Sequence, residues 1–262
     1  MAFIIAGHMR SGTTMLREVC QTHPRLEVTR EFGNFHRLNL SYPRYARFIL
    51  GQWWRKRGGI APLAHVDHPA RRPEFRDLPY VTRYLAQVYR FQHGRVTSGV
   101  IDEALRHLHP HATQAGDKQP DYALKLDQLT GETAIRCVYI YRDPLDVAAS
   151  TVEKTRGPWY RTHSDELREP RRIAQRWVRM MEAMERYRDR LLVIRYEDFV
   201  TDPEPALDRL GAWLDVDPAG FDRSRVHSSS IGTHAGRLSP QEVADVVAAA
   251  GSTMQRYGYA TE

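Results

Sequence analysis

Cysteine is scarce in this chain: Cys20 and Cys137 are the only two among 262 residues, and each sits inside an apolar segment. A disulfide framework is therefore excluded, and two buried thiols fit a reducing compartment. Long apolar runs are also missing; none approaches the roughly 20 residues of a membrane-spanning helix. No basic region precedes the short apolar stretch at the N-terminus, so no secretory leader is expected and the cytoplasm is the expected location. The sequence has no internal repeat and no low-complexity tail. A further absence is more telling. Gly7 and Gly12 are spaced as in a Walker A loop, yet Thr13 stands where that loop needs its lysine.

What is present has an α/β pattern. Hydrophobic residues make up 42% of the chain, enough for a core, and the net charge of +6 with a pI near 9.4 favours an anionic partner. Phe3 to Ala6 is a short apolar run that predicts a buried strand, and Thr14 to Thr22 predicts a helix closed by His23 and Pro24. Leu26 to Thr29 is a candidate second strand. From Phe35 to Arg95 the composition shifts to Trp53, Trp54, many tyrosines and arginines, and prolines at 43, 62, 69, 73 and 79. That stretch predicts short helices and loops inserted after the second strand. Arg136 to Tyr141 is the clearest central strand, and Asp143-Pro144 opens a helix through Lys154. Glu169 to Arg190 predicts one long helix with Ile173, Trp177, Met181 and Met184 on a stripe. Leu191 to Ile194 predicts another buried strand, and Pro205 to Leu214 and Pro240 to Tyr257 predict helices. Alternating strands and helices imply a P-loop-like parallel sheet flanked by helices, one domain over residues 1–262 with residues 35–95 as its insertion.

The loop from Gly7 to Thr14 lies between a strand and a helix. There, backbone N–H groups and a helix N-terminus converge on one anion. Ser11, Thr13 and Thr14 add hydroxyl donors, and Arg10 adds a planar cationic fork suited to phosphate or sulfate. Arg10-Ser11-Gly12-Thr13-Thr14 after a first strand resembles the 5′-phosphosulfate loop of sulfotransferases, which use 3′-phosphoadenosine 5′-phosphosulfate (PAPS) as donor and release adenosine 3′,5′-bisphosphate. A second motif is similar to that family's 3′-phosphate site: Arg142 leaves the central strand and Ser150 follows eight residues later on the next helix. Lys154, one turn beyond Ser150, is placed to face the same phosphate. Arg195-Tyr196-Glu197-Asp198 resembles the family's late Tyr-Glu-Asp segment. The resemblance implies cofactor contact for Tyr196 and structural roles for Glu197 and Asp198. Ser228 through Arg237 loosely resembles the loop that closes over the 3′-phosphate, which makes Arg237 and Ser229 candidate ligands.

The same resemblance assigns the chemistry. Sulfuryl transfer, like phosphoryl transfer, needs positioning and charge stabilisation. Arg10 supplies a cation at the leaving group. Gly116 to Tyr122 resembles the lysine-containing turn before a middle strand in tyrosyl-protein sulfotransferases and bacterial relatives, implying that Lys118 reaches the sulfate. Glu31, 21 residues after Arg10, matches the register of those enzymes' glutamate base. A carboxylate beside Phe32 and Phe35 has the surroundings that raise a pKa. Cytosolic small-molecule sulfotransferases use a histidine instead, and His36 is the nearest substitute; His8 stands where the family often has proline. No metal is expected: His107, His109 and His111 form a histidine-rich loop with no carboxylate or cysteine cluster to complete a site.

The acceptor is expected against residues 35–95, where Trp53, Trp54, Tyr84, Tyr89 and Phe91 offer apolar walls with arginines between them. A small phenol or alcohol, a lipid, a glycan or a peptide tyrosine each suits part of that surface. The alternatives are a P-loop nucleotide kinase or NTPase, against which the missing lysine counts, and a basic nucleic-acid-binding protein. The arginine-rich helix that motivates the last also carries Glu169, Glu182, Glu185 and Asp189, the pattern of a solvated amphipathic face, so no nucleic-acid partner is expected.

Overall fold

The computed structural model describes residues 1–56, 77–132, 135–155 and 167–261. Pro62, Pro69 and Pro73 lie outside the described residues. Five parallel strands form one sheet in the order β2-β3-β1-β4-β5. They are β1 (Ala2–Gly7), β2 (Leu26–Arg30), β3 (Gln114–Lys118), β4 (Ile135–Tyr141) and β5 (Leu191–Arg195). Helix α1 (Thr13–Thr22) follows β1. Between β2 and β3 run α2 (Tyr42–Lys56), α3 (Leu78–Phe91) and α4 (Ser98–Leu108). A 3-10 segment (Pro120–Lys125) and the short α5 (Leu126–Leu129) lead to β4, and α6 (Pro144–Thr155) and α7 (Pro170–Arg186) lead to β5. The chain then forms α8 (Tyr196–Thr201), α9 (Glu204–Leu214) and α10 (Pro240–Arg256).

Helices cover both faces of the sheet, so β1 is apolar at every position and wholly buried. Successive strand side chains point to opposite faces. Ile4 and Ala6 enter a layer with Val81 of α3, Ile101 of α4, Trp177 of α7 and Met254 of α10. Phe3 and Ile5 enter the other, with Leu16 and Val19 of α1 and Leu207 and Leu210 of α9. Cys137 belongs to the first layer and Cys20 to the second; both are free thiols, pushed up to about 12 by burial.

Two expectations are corrected. Gln114 to Lys118 is a strand rather than a turn, buried at all five positions. It pairs with β1 on one side and β2 on the other, so its backbone groups are satisfied despite a polar sequence. Gly116 permits the close approach: a Cβ there would stand 2.9 Å from the Phe3 ring. The long helix also ends earlier than expected, at Arg186, and a 3-10 turn (Arg188–Arg190) feeds β5, closed by Arg190 N–H donating to Tyr187 O at 2.9 Å. The stripe of α7 is as expected, with Ile173, Trp177, Met181 and Met184 all buried.

Because all strands are parallel, their C-terminal ends share one edge. The chain leaves β1 through α1 to the edge strand β2, returns to β3 beside β1, and then crosses over β1 to β4 and β5 on the other side. In such sheets the crevice where the strand order reverses is where ligands bind. The loops after β1, β2, β3 and β4 therefore meet around one point.

Candidate functional site

The loop after β1 is an anion cradle by conformation as well as composition. Gly7, Arg10 and Gly12 all have positive φ, at 150°, 69° and 91°. Ser11 N–H donates to His8 O at 3.1 Å and closes the turn. Gly12 is required twice over: its φ is left-handed, and a Cβ would stand 2.5 Å from the Tyr196 ring. That ring, at the start of α8, also lies under the Arg142 guanidinium at 4.7 Å.

Helix α6 and two loops hold the two arginines in place. Arg10 Nε donates to Ser150 Oγ on α6 at 2.9 Å, and Arg142 Nη1 donates to Arg10 O at 3.2 Å. Arg142 also pairs with Asp146 at 3.0 Å and donates to Ser230 O. Burial and then the Arg142 charge lower the proton affinity of Arg10. Asp146 organises the C-terminal loop, accepting from Gly232 N at 2.9 Å, from His234 N at 2.9 Å and from the His234 ring at 2.9 Å. Burial alone would raise the Asp146 carboxyl, but the His234 contacts and the Arg142 charge hold it below the usual range. A cavity of about 300 Å³ opens here, lined by Arg10, Gly12, Thr13, Thr14, Arg142 and Tyr196, among others. Arg142 Nε, on a residue of the lining, and Ser11 Oγ, in the same loop as Gly12, are buried without a hydrogen-bond partner among the described residues. Such donors suit an anionic group.

At the end of β3, Lys118 is 1% exposed and donates to Glu31 Oε1 at 2.7 Å and to Thr14 Oγ1 at 3.3 Å. One ammonium therefore joins the cradle to the carboxylate. Burial lowers the Lys118 pKa, while the Glu31 charge opposes that shift. Glu31 has φ 54°, and its N–H donates to Lys118 O at 2.6 Å. Lys118 is thus a partner of both its backbone and its carboxylate. His36 is half-buried, stacked on Phe48 with ring centroids 6.2 Å apart, and burial followed by the Lys125 charge lowers its pKa. His8 is buried, with Nδ1 2.8 Å from Met9 O.

Other candidates stand elsewhere. Lys154 is exposed on α6, and Arg237 pairs with Glu153 at 2.7 Å, so neither lines the cradle cavity. From the C-terminal loop it is instead His227 and Ser230 that reach the cavity; neither position was singled out from sequence, where serine repeats blur the register. Ser229 is exposed. Glu197 accepts from Asp143 N and Tyr259 OH, both at 2.9 Å, and ties α6 to the C-terminus. Two expected acceptor walls prove to be core: Tyr84 is fully buried with its hydroxyl 2.7 Å from that of Tyr45, and Trp53 is buried too, because α2 and α3 pack together there. Trp54 and Tyr89 remain open, at 65% and 63% exposure, and Phe91 is half-buried. The three histidines diverge: His107 meets Glu103, His109 meets Tyr80, and His111 meets Glu27. Among the described residues no group of three or more His, Cys, Asp or Glu is placed to hold a metal ion. No described helix is long and apolar enough to cross a membrane.

One residue was missed in the sequence. Asp117 is fully buried directly before Lys118 and accepts from Thr29 Oγ1 at 2.6 Å, Phe32 N at 3.0 Å, Gly33 N at 2.7 Å and Tyr122 OH at 2.7 Å. Its only sequence signal was its adjacency to Lys118.

Residues 2–220 match the family model described as "Sulfotransferase family". Among solved structures, the sulfotransferase domain of the Synechococcus PCC 7002 olefin synthase aligns with TM-score 0.55 at 18% identity, covering 97% of this chain and 94% of that one. Sulfotransferase STF9 from Mycobacterium avium aligns with TM-score 0.53 at 15% identity over 99% of this chain and 77% of that one. The sulfotransferase domain from the curacin biosynthetic pathway gives 0.51 at 20% identity, covering 91% and 82%. At these identities the likeness is one of fold. No curated protein sequence matches the chain.

Proposed function

This chain belongs to the sulfotransferase family, and on that premise we propose that it moves a sulfuryl group from PAPS to a hydroxyl acceptor by in-line displacement. The observation that carries the proposal is the position of Lys118, whose ammonium touches Thr14 of the cradle and Glu31 at once.

The chain's own residues divide the work. Backbone N–H groups of residues 11–14 and the hydroxyls of Ser11, Thr13 and Thr14 would hold the 5′-phosphosulfate. Arg142 and Ser150 would hold the 3′-phosphate, with Tyr196 packed against the cradle. The unpartnered Ser11 Oγ and Arg142 Nε fit such anions. Arg10 and Lys118 stabilise charge as it moves onto the leaving phosphate; losing one such donor typically costs about a hundred-fold or more in rate. Glu31 is the base. Its carboxylate takes the acceptor proton, and Lys118 Nζ, 2.7 Å away, holds that carboxylate in place. Lys154 and Arg237 have no seat in this arrangement. The acceptor enters over the strap after β2, beside α2 and α3.

The kinase reading finds Thr13 buried at the lysine position of a Walker loop. The nucleic-acid reading finds two α7 arginines already paired, Arg172 with Glu169 at 2.7 Å and Arg176 with Asp121 at 2.8 Å.

Calorimetric titration decides between them. Adenosine 3′,5′-bisphosphate should bind, and ATP with Mg²⁺ should bind at least about ten-fold more weakly, about 1.4 kcal/mol. Preference for ATP sinks the proposal. Glu31→Gln and Lys118→Ala should keep bisphosphate affinity and lose sulfuryl transfer by about a hundred-fold; full turnover in both removes them from the mechanism.

A further inference from the structure

The Glu31–Lys118 pair sits on a carboxylate that touches neither the cradle nor the acceptor side. We propose that Asp117 is a positioning residue for this reaction: its buried carboxylate fixes the strap after β2 so that Glu31 meets Lys118, a role resting on the reading of that pair given above.

The geometry is a saturated hub. An ionised carboxylate offers about four acceptor sites. Asp117 fills them with Thr29 Oγ1, Phe32 N, Gly33 N and Tyr122 OH, all within 3.0 Å. Two of these donors are the backbone N–H groups directly after Glu31. Displacing either would strand a buried polar group. The strap is thereby pinned in a conformation that a non-glycine residue resists: Glu31 at φ 54°, followed by Gly33 at φ 73°. Strain of that kind persists only where the surroundings over-determine it. With the backbone so turned, Glu31 N–H meets Lys118 O at 2.6 Å and its carboxylate meets Lys118 Nζ at 2.7 Å. Tyr122 extends the same hub, with its hydroxyl 3.3 Å from Asn34 Oδ1 and accepting from Phe35 N at 3.1 Å. One carboxylate thus fixes residues 29–35, from the reactive carboxylate to the start of the acceptor side.

Asp117→Asn keeps the volume but turns one acceptor into a donor among donors. Glu31 would then swing away and leave Lys118 without its partner. A one-unit fall in lysine pKa makes about ten-fold more free amine. The readout is site-resolved acylation of ligand-free protein at pH 8 by a small amine-reactive ester. The four lysines, Lys56, Lys118, Lys125 and Lys154, are separable by mass spectrometry. Labelling of Lys118 relative to exposed Lys154 should rise about ten-fold in Asp117→Asn, matching Glu31→Gln, with bisphosphate affinity unchanged. Labelling at the wild-type rate overturns the proposal, as does a rise accompanied by lost bisphosphate affinity, which marks general loosening. If Asp117→Asn does not fold, Thr29→Val, which deletes one of the four donors, is read the same way. A wild-type rate there is equally fatal. Failure of the wild-type protein to bind the bisphosphate would instead count against the sulfotransferase site, and the Lys118 readout would still stand.

Discussion

Gly12 shows how much a single residue carries. Its left-handed backbone and its contact with the Tyr196 ring both exclude a side chain. Gly12→Ala should therefore push Tyr196 from under Arg142 and disturb both proposed phosphate sites together. Bisphosphate affinity should fall by about ten- to a hundred-fold, about 1.4–2.8 kcal/mol, in calorimetric titration; an unchanged value would show the ring contact to be irrelevant. At this scale the sequence was informative wherever chemistry fixes a residue type. Arg10 stands out by type and place in its loop, the family resemblance singled out Arg142, Ser150, Glu31 and Lys118, and the folded chain gathers all five at one edge of the sheet. It was mute on Asp117, because a carboxylate beside a lysine reads as a solvated charge until its four donors are brought from elsewhere. It also misjudged Tyr84, since an aromatic side chain has the same signature on a wall and in a core.

Among the elements, α6 couples protonation to stability. Asp143 precedes it and accepts from Leu145 N at 2.8 Å, and burial is the chief cause that pushes its carboxyl up to about 6. An unfolded chain releases that proton near the ordinary aspartate value of about 3.9. The folded state therefore binds the extra proton between those values. The contribution is fully present below about pH 4 and is lost as pH rises through 6. Urea unfolding should show the wild type losing on the order of 2 kcal/mol relative to Asp143→Asn between pH 4 and pH 7. Parallel curves would refute the shift. Strand β3 marks the limit of reading elements from sequence. Its Gly-Asp-Lys core looks like a turn, and only neighbours on both sides make it a strand. Strands β1, β4 and β5 were legible because burial on both faces demands uninterrupted apolar residues.

For the whole molecule, the sheet is a partition between two apolar layers that do not mix. Phe3 and Ile4 are adjacent in sequence and belong to different layers. Parallel strand direction follows from the alternation of strands with helices along the chain and was foreseeable; strand order was not, because it depends on crossings that no local pattern encodes. The placement of the two cysteines turns this partition into a measuring device. Each layer holds one thiol, silent to alkylation while buried. In native-state exchange with a maleimide, Cys20 therefore times the opening of the α1 and α9 side, and Cys137 times the other. Equal rates would mean the two layers open as one cooperative unit, and unequal rates would rank them. The same chain then needs no engineered probe to reveal whether the side of α1 and α9 loosens before the side that carries α3, α6 and α7.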